Sequence, residues 1–263
     1  MMRISIEHIG LMAPGMAGWD AARPVLRGEQ APDTQTLPAF WPNLLPPNER
    51  RRTTALIKLA LQAAEDALRH SPYALYELAS VFASSEGDGE VVDRICQSLT
   101  LPDRPVSPTH FHNSVHNAPA GYWAIASGSR QFSTSLAAGA DTFAAGLLEA
   151  ATVAILQQRP VLLLSYDYAL PPALAGRGYV DTIFGVALLL SAQASDATMG
   201  SLQLELKAGT VVPPILPAEL AELREYNPAA AALPLLIALA RAETADLALP
   251  CHDKLTLQIG IDM

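Results

Sequence analysis

Several side chains in this sequence are of types that do chemistry. His110, His112 and His116 alternate along a polar stretch. On an extended loop such a run could converge on a metal ion. A zinc centre needs three or four ligands and the groups that orient them, so the run reads as loop or interface, with no metal assigned. Ser133, Ser135 and Ser165 could serve as nucleophiles. None lies in a G-x-S-x-G elbow, and the spacing implies no Asp–His pair. A serine working with His116 defines the alternative reading, a stand-alone acyl hydrolase or acyltransferase. Gly87-Asp88-Gly89 lacks the lysine and the full spacing of a phosphate-binding loop and reads as a turn. Cys96 and Cys251 are the only two cysteines. They stand far apart and out of metal spacing, so they read as small buried residues of a protein in a reducing compartment.

The elements that must position these groups come from a chain of 263 residues, 50% hydrophobic and 16% charged. That is enough apolar material for a sizeable core. A net charge of −9 disfavours nucleic acid and anionic membranes, because phosphate binding rests on clustered Lys and Arg. Arg50, Arg51 and Arg52 form a short basic run that reads as a solvated helix start. The opening residues have the wrong charge pattern and length for a signal peptide. No stretch reaches the ~18 uncharged apolar residues of a membrane span. The most apolar helix candidate, 229–240, is short and contains Pro234. The expectation is a soluble, cytoplasmic protein without a cofactor.

Along the chain, 4–11 reads as a buried strand that Gly10 and Pro14 break, and 28–49 as a Pro-rich loop packed by Phe40 and Trp41. Residues 53–70 carry Leu56, Leu59, Ala60, Ala63, Ala64, Ala67 and Leu68 at helical spacing. A strand over 78–83, a turn, a helix over 90–99 and a stiff loop through Pro102, Pro105 and Pro108 follow. After the polar stretch 110–117 come a helix over 118–127 and a strand over 131–135. A helix over 142–157 and a buried strand over 161–165 complete this region. Strands are expected at 181–191, 201–207 and 254–262, with a loop-rich excursion carrying five prolines over 208–234. Strands alternating with helices predict a layered α/β fold with a largely parallel sheet, and the closing strands predict a mixed sheet of five or more strands.

Residues 112–165 resemble the nucleophile region of the β-ketoacyl synthases of the thiolase-like superfamily. Asn117, Ala120 and Gly121 fit that family's N-x-x-A-G element, and Ser133 and Ser135 its Ser-rich strand. The opening strand, the helix from Arg51 to Leu68 and the turn after Ala83 are similar as well, so the likeness runs over roughly residues 1–207. In ungapped register the family's catalytic cysteine falls on Ala140. Shifted registers offer only Leu136, Gly139, Asp141 or Thr142. A ketosynthase needs a thiolate to hold the acyl chain and surrender it to a carbanion, and a methyl group does neither. The family's two C-terminal histidines have no counterpart either, since His252 is the one late histidine and sits in no matching motif.

The resemblance therefore implies a single thiolase-like ketosynthase N-terminal half over 1–263, without the C-terminal half. Such silent relatives are chain-length factors, here of the aryl polyene type, paired with an active ketosynthase and reaching acyl carrier protein through the complex. By the same resemblance, Gln131, Phe132, Ser133, Thr134 and Ser135 form the strand that pairs across the subunits. His112, Asn113, Ser114, Val115, His116 and Asn117 approach the floor of the partner's acyl tunnel. One face of a half-fold would need shielding, by the partner or by residues 208–234.

Overall fold

Runs of β-branched and leucine residues set the centre of the molecule, where 161–167 and 184–190 are buried along their whole length, as strands covered on both faces must be. In the computed structural model, which describes residues 1–33, 35–174, 180–209, 211, 214–252 and 254–263, the chain runs β1 (Met2–Ala13), β2 (Met16–Ala17), α1 (Trp19–Arg27), α2 (Pro47–Arg52), α3 (Ala55–Leu68), β3 (Ala79–Ala83), α4 (Gly89–Thr100), α5 (Pro108–Asn113), α6 (Ala118–Ser127) and β4 (Ser133–Leu136). It continues through α7 (Thr142–Gln157), β5 (Val161–Asp167), β6 (Phe184–Ser191), β7 (Gly200–Ala208), α8 (Ala218–Glu225), α9 (Leu233–Arg241), β8 (Ala245–Pro250) and β9 (Leu255–Asp262). The strands form one mixed sheet in the order β4-β3-β5-β6-β1-β7-β9-β8, with β2 hairpinned onto β1. β4, β3 and β5 are parallel, and every later neighbour is antiparallel.

Two hydrophobic clusters sandwich this sheet. On one face α3 and α6 pack through Leu56, Leu59, Ala60, Ala63, Tyr122 and Trp123. On the other, α7, α1 and α9 pack with the short 3-10 turn Pro228–Ala232. Ala229, Ala230, Ala232, Leu233, Leu235 and Leu236 are buried there. The end of the 208–234 segment and the helix after it thus cover part of this face of the sheet.

Small residues let these layers close. Gly10 does not break β1, as its type suggested, but lies inside it. A Cβ there would stand 2.0 Å from the Ala63 carbonyl oxygen, so only glycine admits α3 so close. Asp66 of α3 accepts from the Leu11 and Trp19 amides at 3.2 and 2.7 Å, fastening β1 and α1 to the helix.

Other expected boundaries move for physical reasons. The arginine run belongs to a separate six-residue helix, α2, whose last turn it occupies as the helix dipole favours. Thr53 is not helical; Thr54 caps α3 by accepting from the Ile57 amide at 3.3 Å. The 208–234 stretch is not loop throughout. Pro217, Pro228 and Pro234 stand at helix starts, where a missing N–H costs nothing. Thr34, Thr210, Val212 and Pro213, inside the two stretches expected to be loops, lie outside the described residues. β8 was not expected at all. The 139–157 run is long and apolar enough to cross a membrane by composition. It contains Asp141 and Glu149, however, and its α7 part packs onto the sheet through nine buried residues.

Candidate functional site

Ala140 sits in a tight turn between the end of β4 and the start of α7. Gly139 is left-handed, at φ +56. The buried Thr142 hydroxyl accepts from the Ala138 amide at 3.0 Å and donates to the Gly139 carbonyl oxygen at 2.7 Å. This strand–turn–helix lock holds residue 140 exposed at the N-terminal end of α7, where the helix dipole would favour an anionic nucleophile. The side chain there is a methyl group. A pocket of ≈160 Å³ opens beside it, walled by Ala140, Asp141, Arg224, Leu249 and Pro250.

Sequence spacing gave no hint of two other groups at this turn. The His252 amide donates to Asp141 Oδ2 at 2.8 Å, so the β8–β9 hairpin reaches the turn through its backbone. Cys251, next to it, is buried, and its thiol is pushed up by that burial and by the negative charge of Asp141. Both effects work against the thiolate form of Cys251.

The predicted serines and His116 do not assemble into a catalytic set. His116 Nε2 donates to the Ser84 carbonyl oxygen at 2.8 Å. The Ser84 hydroxyl donates to Asp167 Oδ1 at 2.8 Å, and the Ser85 amide reaches the same oxygen at 2.8 Å. The Gly87 amide donates to Ser84 Oγ, and Asp88 caps α4. The turn 84–89 therefore spends these amides internally and offers no phosphate cradle. Burial pushes the Asp167 carboxyl up to about 6, against the lowering effect of the Ser84 and Ser85 hydrogen bonds. Ser133 Oγ bonds Ser80 Oγ at 3.0 Å, while the Ser135 and Ser165 hydroxyls are buried without partners. Among the described residues no group of three or more His, Cys, Asp or Glu could hold a metal ion.

The expected interface residues divide into two kinds. Residues 108–113 form the helix α5 rather than a loop, started by Pro108 after the Ser107 cap. Asn113 faces inward: its amide donates to the Arg52 carbonyl oxygen at 2.8 Å, and its oxygen accepts from Tyr122 at 3.2 Å. It ties α2 to α6 and cannot line an open floor. Ser114 bonds back to the Phe111 carbonyl oxygen. His112 stands edge-on to Tyr122, at 6.0 Å between ring centroids. Asn117, expected to mark the start of α6, makes no side-chain cap there. Val115 and Phe111 project outward, 53% and 70% exposed. With Pro108, His112, Asn117 and Gly121 they line an open apolar depression. Asn117, Gly121 and Ile125 succeed one another at helical spacing along the bare face of α6, and Ile125 is 57% exposed.

The strand expected to pair across subunits starts at Ser133 rather than Gln131. Gln131 Oε1 accepts from Arg159 Nη1 and the Gln131 amide bonds Ser129 Oγ, which keeps the residue outside the ladder. Among the described residues β4 is the edge of the sheet, paired only with β3. The Phe132 and Leu136 carbonyl oxygens accept from the Ser80 and Ser84 amides. Alternate residues of a parallel ladder face the same neighbour, so the backbone groups of Ser133 and Ser135 point away from the sheet.

A Ser-rich edge strand, a sharp turn holding one exposed residue and a buried apolar helix on a mixed sheet define a thiolase-like scaffold of the ketosynthase type. The sequence pattern of the β-ketoacyl synthase N-terminal domain matches residues 19–247, and the chain belongs to that family. Three solved structures share the fold. A chain of the ketosynthase ApeO in complex with its chain length factor ApeC from Xenorhabdus doucetiae has a TM-score of 0.73 at 24% identity, with 99% of this chain and 100% of that chain covered. The ishigamide ketosynthase/chain length factor gives 0.79 at 16% identity, with 99% of each chain covered. A type II polyketide synthase acyl-carrier protein in complex with its ketosynthase bound to the hexaketide gives 0.76 at 12%, again with 99% of each covered. No curated protein matches the sequence.

Proposed function

We propose that this chain is the non-catalytic, chain-length-factor-type subunit of a soluble cytoplasmic heterodimer with an active ketosynthase. The observation that carries the reading is Ala140: the nucleophile turn is built and locked, and its functional residue is a methyl group. Without a thiolate no acyl-enzyme forms. The open edge of β4, flanked by the apolar face of α5 and α6, gives the chain the means to add itself to another sheet. Relatives of matching length in solved structures described as ketosynthases with chain length factors support a pairing of this kind, and one described with an acyl-carrier protein supports contact with a carrier through the complex. The product class is a polyene- or polyketide-type chain, with aryl polyene assembly as the pathway.

In this reading Phe132, Ser133, Thr134 and Ser135 meet the partner's strand, with Gln131 leading into it. His112, Ser114, Val115, His116 and Asn117 lie toward the partner's acyl tunnel, and Asn113 braces them from behind. The test is co-expression with the ketosynthase of the same source. The expected result is a one-to-one complex on size exclusion, with acyl mass added to the partner only. An acyl adduct on this chain, or a monomer indifferent to the ketosynthase, overturns the reading.

A further inference from the structure

Residues 114–117, which carry the exposed Val115 between α5 and α6, are seated on the fold through His116. Its ring lies against the turn after β3. His116 Nε2 donates to the Ser84 carbonyl oxygen at 2.8 Å, and a Cβ on the left-handed Gly87 would stand 3.4 Å from His116 Cδ2. Asp167, at the end of β5, fixes that turn. Its Oδ1 accepts from the Ser84 hydroxyl at 2.8 Å, the Ser85 amide at 2.8 Å and the Glu86 amide at 3.5 Å. The backbone of Asp167 is anchored as well. The buried Asn227 side-chain amide donates to the carbonyl oxygens of Asp167 at 3.3 Å and Thr182 at 2.9 Å.

A buried carboxylate is a costly way to fill such a place. Asp167 is 1% exposed, and burial works against its charge. The groups that offset this are hydrogen-bond donors of the turn itself rather than a cation. For stability alone, an apolar side chain of similar volume often serves as well or better. What the carboxylate adds is direction. One oxygen gathers donors from three consecutive residues, which fixes the backbone of 84–86 and with it the Ser84 carbonyl that His116 meets. Asp167 and His116 thus hold the two ends of one residue, the first by its hydroxyl and the second by its carbonyl oxygen.

We propose that Asp167 is a positioning residue for subunit pairing: through Ser84 it aims the seat of His116 and so sets where Val115 meets the partner. The inference rests on the reading of this chain as a ketosynthase partner. A double-mutant cycle tests it, with the dissociation constant for the purified ketosynthase measured by biolayer interferometry and folding checked by circular dichroism melting. Asp167→Ala and His116→Ala should each weaken pairing about tenfold. The double variant should be no weaker than either single one, because both act through the same contact. Asp167→Asn keeps an oxygen for Ser84, Ser85 and Glu86, so it should hold affinity to within about threefold of wild type, which a role in packing alone does not explain. Ser84→Ala removes only the linking hydroxyl and takes the place of Asp167→Ala in the cycle if that variant does not fold. Losses that simply add overturn the proposal. So do folded variants that pair like wild type, or an Asp167→Asn variant as weak as Asp167→Ala. A wild-type chain that does not bind the ketosynthase overturns the partner reading and this inference with it, whereas a binding wild type with any of the preceding results overturns this inference alone.

Discussion

The apolar face of α6 gives the sharpest test of partnership. Ile125 is 57% exposed in the isolated chain, so roughly half of its burial energy is still to be gained. Full burial of an isoleucine stabilises by about 1.5–3 kcal/mol, which leaves about 1–1.5 kcal/mol for a partner to supply. Ile125→Glu removes that gain and brings an unpaired carboxylate into the contact, at a further cost of several kcal/mol. A total of about 3 kcal/mol or more is a hundredfold or greater weakening of the pair, at ~1.4 kcal/mol per tenfold. The fold should barely notice, because glutamate suits an exposed helix position and surface changes usually stay within about 0.5 kcal/mol. Leu206→Glu is the control: its site on β7 is 44% exposed and separated from β4 by β3, β5, β6 and β1. Sedimentation velocity of the co-purified complex reads the pairing, and circular dichroism melting checks the fold. If Ile125→Glu leaves the complex intact, or Leu206→Glu disrupts it equally, the interface does not run over α6.

Enlarging Val115 to Phe should shorten the product without dissociating the pair, since overpacking a filled space costs ~1–3 kcal/mol. Val115→Ala should lengthen it, and a product length fixed across the series, read by mass spectrometry, places the ruler wholly in the partner. Ala140→Cys should not restore acylation of this chain, because Asp141 adds negative charge beside the new thiol; intact-mass analysis checks this. Asp167 carries its proton to about pH 6 in the folded chain, against 3.8 ordinarily. Its ionisation therefore favours the unfolded state, and stability should fall between about pH 4 and 6 by up to about 3 kcal/mol and then level off. Asp167→Asn should lack that slope, as measured by denaturant titrations across this range. Gly10→Ala should cost about 3 kcal/mol or more in urea titrations, since its methyl would meet α3 backbone.

Much of the architecture was legible because burial writes itself into period. The all-apolar run of β5, the alternation of β7 and β9, and the stripe of α3 each showed their type directly. The distance between two strands placed Ala140 between a strand and a helix, and the structure has a tight turn there. What escaped were features set by packing rather than by local type. Gly10 reads as a breaker until α3 is seen lying on it. α5 is hidden by its histidines, although Ser107 and Pro108 form a cap and first-turn pair that marks a helix start. β8 carries Asp246 and Pro250, residues that an edge strand tolerates and a central one does not. Asn113 looked like its polar neighbours, and only the positions of Arg52 and Tyr122 show that it faces inward.

The exposed edge of β4 carries a consequence for self and non-self. Peptide groups are the same in every protein, so the outward N–H and C=O groups of Ser133 and Ser135 would welcome a second copy of this chain as readily as a foreign strand. Discrimination must then rest on the side chains around that edge: Phe132, Ile125, Val115 and Phe111. Two copies would bring those apolar groups together about a two-fold axis with only their own shapes to match. A partner of different sequence can offer knobs where this chain has the hollow at Gly121, whose missing side chain leaves space within 4 Å unfilled. In the proposed pairing, fidelity in choosing a mate would be a property of that small relief, and exchanging it between relatives should redirect who pairs with whom.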